Sequence, residues 1–540
     1  MKKCLSVLMV MMFFSFVGYV EADAFSDEDF VPKLSAKNLT LEVGERTILD
    51  SKWYIGGSDG DWKSSNTKVA TVSRWRGYVI AKKVGTSKIT LTEGGKTYTC
   101  KLKVVPQKKK NAKEVKALKK LIKKINAKGG KLPTNINAKR KSTKEKVYSW
   151  HNGHLVEMNV AGFGKANVDV SLCAFKQLKS VNMIDVKSLN ISKCKKLEYI
   201  RVSVKKRIDF SKCKKLKSIV LDASKKDKRW KKIDLSKNVE LLRFDMDEIY
   251  PSNISKIKFG KCKKLELINV YGCEKMKTLD LNGCKNLRFL DAGSDNLTSI
   301  KYDKCKKLEE VGISSKKIER LTFRNCKGLR DIKAKIGELQ LDGCDKVENL
   351  TLSNPNNKSR KLDKLTIKNC KYSTEFKGIL KAKQVTISNC SKLERLARLN
   401  GAQDVNISKC PLVRGVSCSG GSLTKLSIRD CLNLEQIDCS NNVLTSLDLS
   451  GLPNLKELYC SDNQLTNLDL SKNTALESLD CSNNKLTNLD LSKNVALKTL
   501  NCCINQLTSL DLTNLSCLQK VVVDSNVTVI GCRDEIINKK

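Results

Sequence analysis

Leu465-Thr466-Asn467-Leu468-Asp469-Leu470-Ser471 returns 21 residues later as Leu486-Thr487-Asn488-Leu489-Asp490-Leu491-Ser492. The same heptad stands at Leu444 to Ser450 and, ending in threonine, at Leu507 to Thr513. Between copies runs a second recurring frame, Leu476-Glu477-Ser478-Leu479-Asp480-Cys481-Ser482-Asn483-Asn484. A 21-residue unit cannot bury its own leucines, so each must stack on its neighbours. The asparagines at 442, 463, 484 and 505 are placed to bond turn backbone that is otherwise buried and unpaired. Asp448, Asp469, Asp490 and Asp511 alternate with inward leucines and are expected to face solvent.

Working towards the N-terminus, the frame keeps its spacing while its letters change. The position held by Asn494, Asn473 and Leu452 becomes cysteine at 431, 410, 390, 370, 344, 326, 305, 284 and 262; Asn238 interrupts, and cysteine returns at 213 and 194. Phe175 opens the series. The period and the L-x-x-L-x-(L/C)-x-x-N frame are those of a leucine-rich repeat, giving a solenoid of about seventeen coils over residues 175–531. Cys418, Cys439, Cys460, Cys481 and Cys502 form a second column. With so many thiols on two structural positions, small buried hydrophobes are the preferred reading over a disulfide framework, although facing thiols of adjacent coils could bond. No paired C-x-x-C offers tetrahedral metal geometry.

Ahead of the repeats, the chain opens with Lys2-Lys3, an apolar run from Leu5 to Val20 and the small-x-small site Ala22-Asp23-Ala24. These read as a signal peptide over 1–24, hence a secreted, extracellular or cell-wall-associated protein with no integral membrane segment after cleavage. Residues 31–105 alternate in period two between glycine-rich turns, as a small β-sandwich does. Residues 106–174 hold a basic helix with Val115, Leu118, Leu121, Ile122 and Ile125 on one face, stopped by Gly129-Gly130 and Pro133. A cap over the first coil is preferred to a membrane-surface helix. The strand pair around Tyr148 to Val160 would complete that cap. It carries the chain's only histidines, His151 and His154, read as turn residues, since H-x-x-H alone is a weak metal signal. Residues 532–540 are expected as a C-terminal tail.

Charge is concentrated in the middle of the chain. The net of +45 divides into +5 over 1–105, +14 over 106–150, +29 over 151–420 and −3 over 421–540. A field of that size attracts polyanions such as anionic wall polymers and acidic polysaccharides. Lysine far outnumbers arginine and aromatics are few, which speaks against specific nucleic-acid reading. Nucleophile elbows, phosphate-binding glycine loops, zinc helices and paired carboxylates in a pocket context are missing from the sequence. The reading is therefore a non-enzyme, with no catalytic, cofactor-binding or metal-ligating residue assigned and no cofactor expected.

Two resemblances add to this. Trp62-Lys63-Ser64-Ser65-Asn66 with Val69-Ala70-Thr71-Val72, Gly77 to Ala81 and Gly85 to Thr90 resembles the group 2 bacterial Ig-like domain. That likeness implies a surface-protein spacer with Trp62 as its core plug. The repeats with a helical cap resemble internalin-like Firmicutes surface proteins, which implies an adhesin-like binding protein. The expected fold is thus mostly β, an Ig-like β-sandwich followed by a helix-capped leucine-rich-repeat solenoid. The expected function is recognition of a protein or anionic polysaccharide partner. The alternative is a structural protein held non-covalently to anionic cell-wall polymer by its lysines.

Overall fold

The computed structural model describes residues 37–540 except 50–60, 74–76, 94–95, 142–145, 222–230, 247–252, 354–361, 372–374, 377–381, 397 and 400. The expected signal peptide lies outside the described residues. The chain is mostly β, a solenoid of about 16 turns, close to the expected seventeen. It divides at Leu197/Glu198 into two compact units.

In the first unit, β1 (Asn38–Glu42), β7 (Lys96–Val105), β6 (Gly85–Glu93) and β3 (Asp61–Ser64) form one sheet in that order. A second sheet runs β2 (Arg46–Ile48), β5 (Tyr78–Ala81), β4 (Ala70–Val72). Alternate residues of both meet in one core that includes Leu41, Trp62, Val79, Ile89, Cys100 and Leu102. Trp62 is 5% exposed. Its ring lies where a Cβ on Gly77 would approach to 2.5 Å, and Gly77 has φ +55°, so only glycine fits there. The Ser-Ser-Asn turn is fastened to the next strand: Lys88 N donates to Ser65 Oγ (2.8 Å) and Asn66 N to Ser87 Oγ (3.1 Å).

Helix α1 (Ala112–Asn126) begins where the Asn111 side chain accepts from Glu114 N at 3.1 Å, an N-cap of the usual kind. It buries Leu118, Leu121, Ile122 and Ile125 as the spacing requires, while Val115 is only half-buried. Beyond it, β8 (Tyr148–His151) and β9 (His154–Asn159) form an antiparallel hairpin. Its two-residue turn has positive φ at both Asn152 (50°) and Gly153 (77°), the twist a tight hairpin needs. β10 (Ala166–Ser171), against which α1 packs, and β11 (Ser180–Asn190) then stack in parallel.

The histidines are not simply turn residues. They close the hairpin as a cross-strand pair, and each meets a glutamate remote in sequence. His151 Nδ1 lies 2.6 Å from Glu45 Oε1 of the sandwich, and His154 Nδ1 lies 2.9 Å from Glu114 Oε1 of α1. Glu42 and Glu114 also accept from the Asn152 and Leu155 backbone N–H groups (2.9 and 2.8 Å).

The second unit is coil upon coil. Eight of its strands, 199–204, 218–221, 243–246, 267–269, 289–293, 310–314, 331–335 and 349–353, follow one another in a parallel sheet. Seven more, 415–417, 436–438, 457–459, 478–480, 499–501, 520–523 and 537–539, make another. In the intervening coils the opposite wall also becomes a sheet, six strands from 320–324 to 425–429. Within residues 532–540, expected as a C-terminal tail, Ile537–Lys539 pairs in parallel with Val521–Val523.

One late coil shows how the core is built. Leu476, Leu479, Cys481, Asn484, Leu486, Leu489, Leu491 and Asn494 are all buried, and of the residues between them only Ser482 is buried as well. Asn484 Nδ2 donates to the carbonyls of Cys460, Cys481 and Ser482 (3.0, 3.1 and 3.2 Å), while its Oδ1 accepts from Leu465 N at 3.0 Å. One side chain thereby satisfies backbone of its own coil and of the coil before it. Asn442, Asn463 and Asn505 repeat the pattern.

None of the 22 described cysteines is in a disulfide; Cys173 and Cys532 are half-buried, Cys517 is exposed and the others are buried. The first cysteine column proves to be more than apolar filler. Asn473 Nδ2 donates to the Leu449 and Leu452 carbonyls of the preceding coil (3.1 and 2.9 Å). At the equivalent place Cys305 Sγ lies 3.3 and 3.5 Å from the Leu281 and Cys284 carbonyls. Cys262 meets the Leu235 and Asn238 carbonyls at 3.5 Å each. The thiol is a weak donor doing what the amide does, which is why Asn238 can interrupt a cysteine series.

Candidate interaction surface

Strand alternation sorts each coil's residues into an inner and an outer set. In the late coils Ile437, Leu458, Leu479 and Leu500 point inward, leaving Gln436/Asp438, Glu457/Tyr459, Ser478/Asp480 and Thr499/Asn501 on the outer face. In-register parallel pairing brings these into rows. Between coils Gln436 Nε2 bonds Glu457 Oε2 (3.0 Å) and Thr499 Oγ1 bonds Ser478 Oγ (2.8 Å), while Tyr459 Oη bonds the same Glu457 oxygen within its own strand (3.1 Å). Burial comes first among the causes that push the Tyr459 phenol above its ordinary value. A face of such fixed polar groups holds its shape before any partner arrives, which lowers the ordering cost of binding.

The earlier face is more strongly charged. Arg288 grips Glu309 of the next coil with two bonds of 2.7 Å, and Arg243 pairs with Asp245. Burial raises the carboxyls of Glu266 and Glu310. Tyr271, 42% exposed, lies over Gly293 of the following coil, where a Cβ would fall 2.3 Å from the ring. Tyr271, Phe289 and Tyr459 are therefore outer-face aromatics that composition alone did not single out. Their signal is positional, one residue off an inward leucine or valine.

A third surface lies at the corners that follow each inward cysteine. There the Cys-Lys-Lys-Leu letters put Lys214, Lys215, Lys263, Lys264, Lys306 and Lys307 in solvent. Lys264 pairs with Glu240 at 2.7 Å, and Lys306 donates to the Arg324 carbonyl at 2.7 Å. Lys214, Lys215 and Lys263 make no ion pair among the described residues.

No catalytic, cofactor or metal residue was assigned from the sequence. Among the described residues no three His, Cys, Asp or Glu side chains are grouped to hold a metal ion. No helix of the described residues is long and apolar enough to cross a membrane.

The regular coils define a leucine-rich-repeat solenoid by their own geometry. Residues 432–473 and 453–494 match the family model described as Leucine Rich repeats (2 copies). No curated protein matches the chain in sequence. Among solved structures, it is similar to the functional domain of InlJ from Listeria monocytogenes, described as including a cysteine ladder, at 18% identity and TM-score 0.24, over 68% of each chain. It is also similar to the internalin InlF of Listeria monocytogenes, at 13% identity and TM-score 0.24, over 70% of this chain and 87% of that one. The Arabidopsis receptor kinase HAESA, solved with the peptide hormone IDA and the co-receptor SERK1, is similar at 15% identity and TM-score 0.29, over 76% and 90%.

Proposed function

We propose that this chain is a secreted or cell-surface binding protein, adhesin-like in role, whose solenoid recognises a protein or glycan partner through its outer strand face. The observation that carries this reading is the outer row of polar side chains from Gln436 to Asn501, tied between coils at Gln436–Glu457 and at Ser478–Thr499. Such an extended, preset surface suits a large partner. The two-sheet module over 37–105 is read as an Ig-like spacer, on the Trp62 and Ser-Ser-Asn motif. No catalytic step is assigned.

A second reading, retention on anionic wall polymer, is favoured by the exposed corner lysines Lys214, Lys215 and Lys263, which have no ion-pair partner among the described residues. The two separate in a pulldown of the full chain against bacterial cell walls and against host matrix, at low and at high salt. Specific recognition predicts capture that resists salt and is lost in Glu457→Ala/Tyr459→Ala. Retention by charge predicts capture that washes off once the screening length falls below about 8 Å, with no response to those two substitutions.

A further inference from the structure

Corner positions stack in columns. The residue just before each inward Cys or Asn is Lys212, Lys237, Lys261, Gly283 and Lys304 in successive coils. The strand starting six residues after each one is in register with the next, so these positions sit above one another. The column of ammonium groups is therefore broken once, at Gly283. Gly283 can be nothing larger, because a Cβ would fall 1.6 Å from the Gly260 carbonyl oxygen. The result is an open recess of about 440 Å³, lined by Asn282, Gly283, Lys261, Lys263, Lys285 and Lys304.

All four lysines are exposed, and none has an ion-pair partner among the described residues. Asp280 is turned to the Asn282 backbone N–H (3.1 Å), and Asp303 borders the adjoining groove with Lys306 and Arg324. Lys261 and Lys304 belong to coils two steps apart, so their backbones are separated by about 9–10 Å at ~4.8 Å per step. An oxyanion accepting ammonium bonds of ~2.8 Å from either side fits such a gap. Lysine supplies point charges suited to a phosphate monoanion, without the planar fork that reads a carboxylate. Above and below, Lys214, Lys237 and Lys306 continue the positive edge. The edge thus suits a chain of anions, with the recess seating one of them. Neither base-stacking aromatic nor arginine lines the recess, which argues against a nucleic acid.

We propose that the recess on Gly283 is the anchoring site for a linear polyol-phosphate polymer running along the lysine corners. This rests on the second of the two functional readings above, and it names that reading's site and ligand chemistry.

The test uses the full chain and synthetic poly(glycerol phosphate), with binding followed by calorimetry across a salt series. Lys261→Ala/Lys263→Ala/Lys285→Ala/Lys304→Ala should weaken binding at least tenfold. It should also flatten the salt dependence by roughly three powers of the salt concentration. A control removing equal charge, Lys82→Ala/Lys83→Ala/Lys88→Ala/Lys101→Ala in the N-terminal module, should change affinity less than twofold. All eight side chains are exposed, so unchanged thermal melts will show that both variants fold. Equal losses in the two variants would overturn the proposal in favour of a diffuse field. Duplex DNA of matched charge binding more tightly than the polymer would overturn the ligand class. Glu457→Ala/Tyr459→Ala should leave polymer binding intact, so failure at the recess and failure of strand-face recognition are read separately.

Discussion

Ile504 occupies the left-handed backbone region (φ 58°) at a place where the sister coils use Asn441, Asp462 and Asn483. A β-branched side chain is strained there, at roughly 1 kcal/mol or more, and Ile504 is 60% exposed, so it gains little from packing. Ile504→Asn should raise stability by about 1 kcal/mol, read as a higher denaturant midpoint at constant slope. The shared cysteine/asparagine column makes a second case. Asn473 buries an Oδ1 with no hydrogen-bond partner among the described residues, an expense that a thiol avoids. Asn473→Cys should therefore be neutral or stabilising, whereas Cys305→Ala, which removes a donor and leaves a void, should cost about 1–2 kcal/mol. Equal losses in both would contradict the exchange. Buried thiols of both columns fix an alkaline limit. Burial pushes Cys262 up to about 11, and Cys305, Cys418 and Cys502 up to about 12, from an ordinary 9.0. An acid whose folded value is raised stabilises the fold fully below its unfolded value and loses that contribution as pH climbs towards the folded one. Stability measured by urea titration should hold to about pH 9 and fall between there and pH 11–12.

At the scale of the element, the recurring unit is an aspartate turn. Asp448, Asp469, Asp490 and Asp511 face solvent, each accepting from the backbone N–H two residues on at 2.9–3.1 Å. Asp209 and Asp234 make the same turn in earlier coils. The Ser or Thr hydroxyl two residues on (first among the causes at Asp234, Asp448 and Asp511) and the backbone N–H together hold the carboxyls below the ordinary range. A depressed carboxyl stabilises above its unfolded value and ceases to do so as pH falls through the folded one. Wild type should thus lose stability below about pH 4, and the fourfold Asp→Asn variant at 448, 469, 490 and 511 should lose less over the same interval. A parallel decline would sink the assignment. The late coils were legible because identical letters return every 21 residues, so columns of Leu, Asn and Asp could be aligned by eye. Earlier coils were readable only through their cysteines, and which wall became a sheet was not, because strand and extended return have the same alternation. The Glu114–His154 and Glu45–His151 contacts were invisible for another reason: they join residues 40 and 106 apart, and no local pattern encodes such a meeting.

For the molecule as a whole, the edge of the stack bears on association with other chains. A parallel sheet that stops abruptly offers an open edge for another chain to extend. Here the last coil's Val521–Val523 is covered by Ile537–Lys539, with Lys540 N bonded to the Val523 carbonyl at 2.9 Å and Ser525 N to the Lys540 carbonyl at 2.8 Å. Removing 532–540 should leave most of the solenoid folded while exposing a valine-rich edge. Size-exclusion chromatography of the truncated chain should show concentration-dependent oligomers, and a monomer at all concentrations would refute a covering role. At this scale the sequence revealed the stack and its charge distribution but not the strand Ile537–Lys539, which is too short and too polar to look like one.

The thiols set inside neighbouring coils have one more consequence, which concerns time and not equilibrium. While the stack is closed, oxidants reach few of them; when a coil opens, several thiols appear together, close enough to cross-link out of register. In an oxidising medium each opening is then a chance of permanent loss, and the working lifetime of the protein is set by how rarely its coils part.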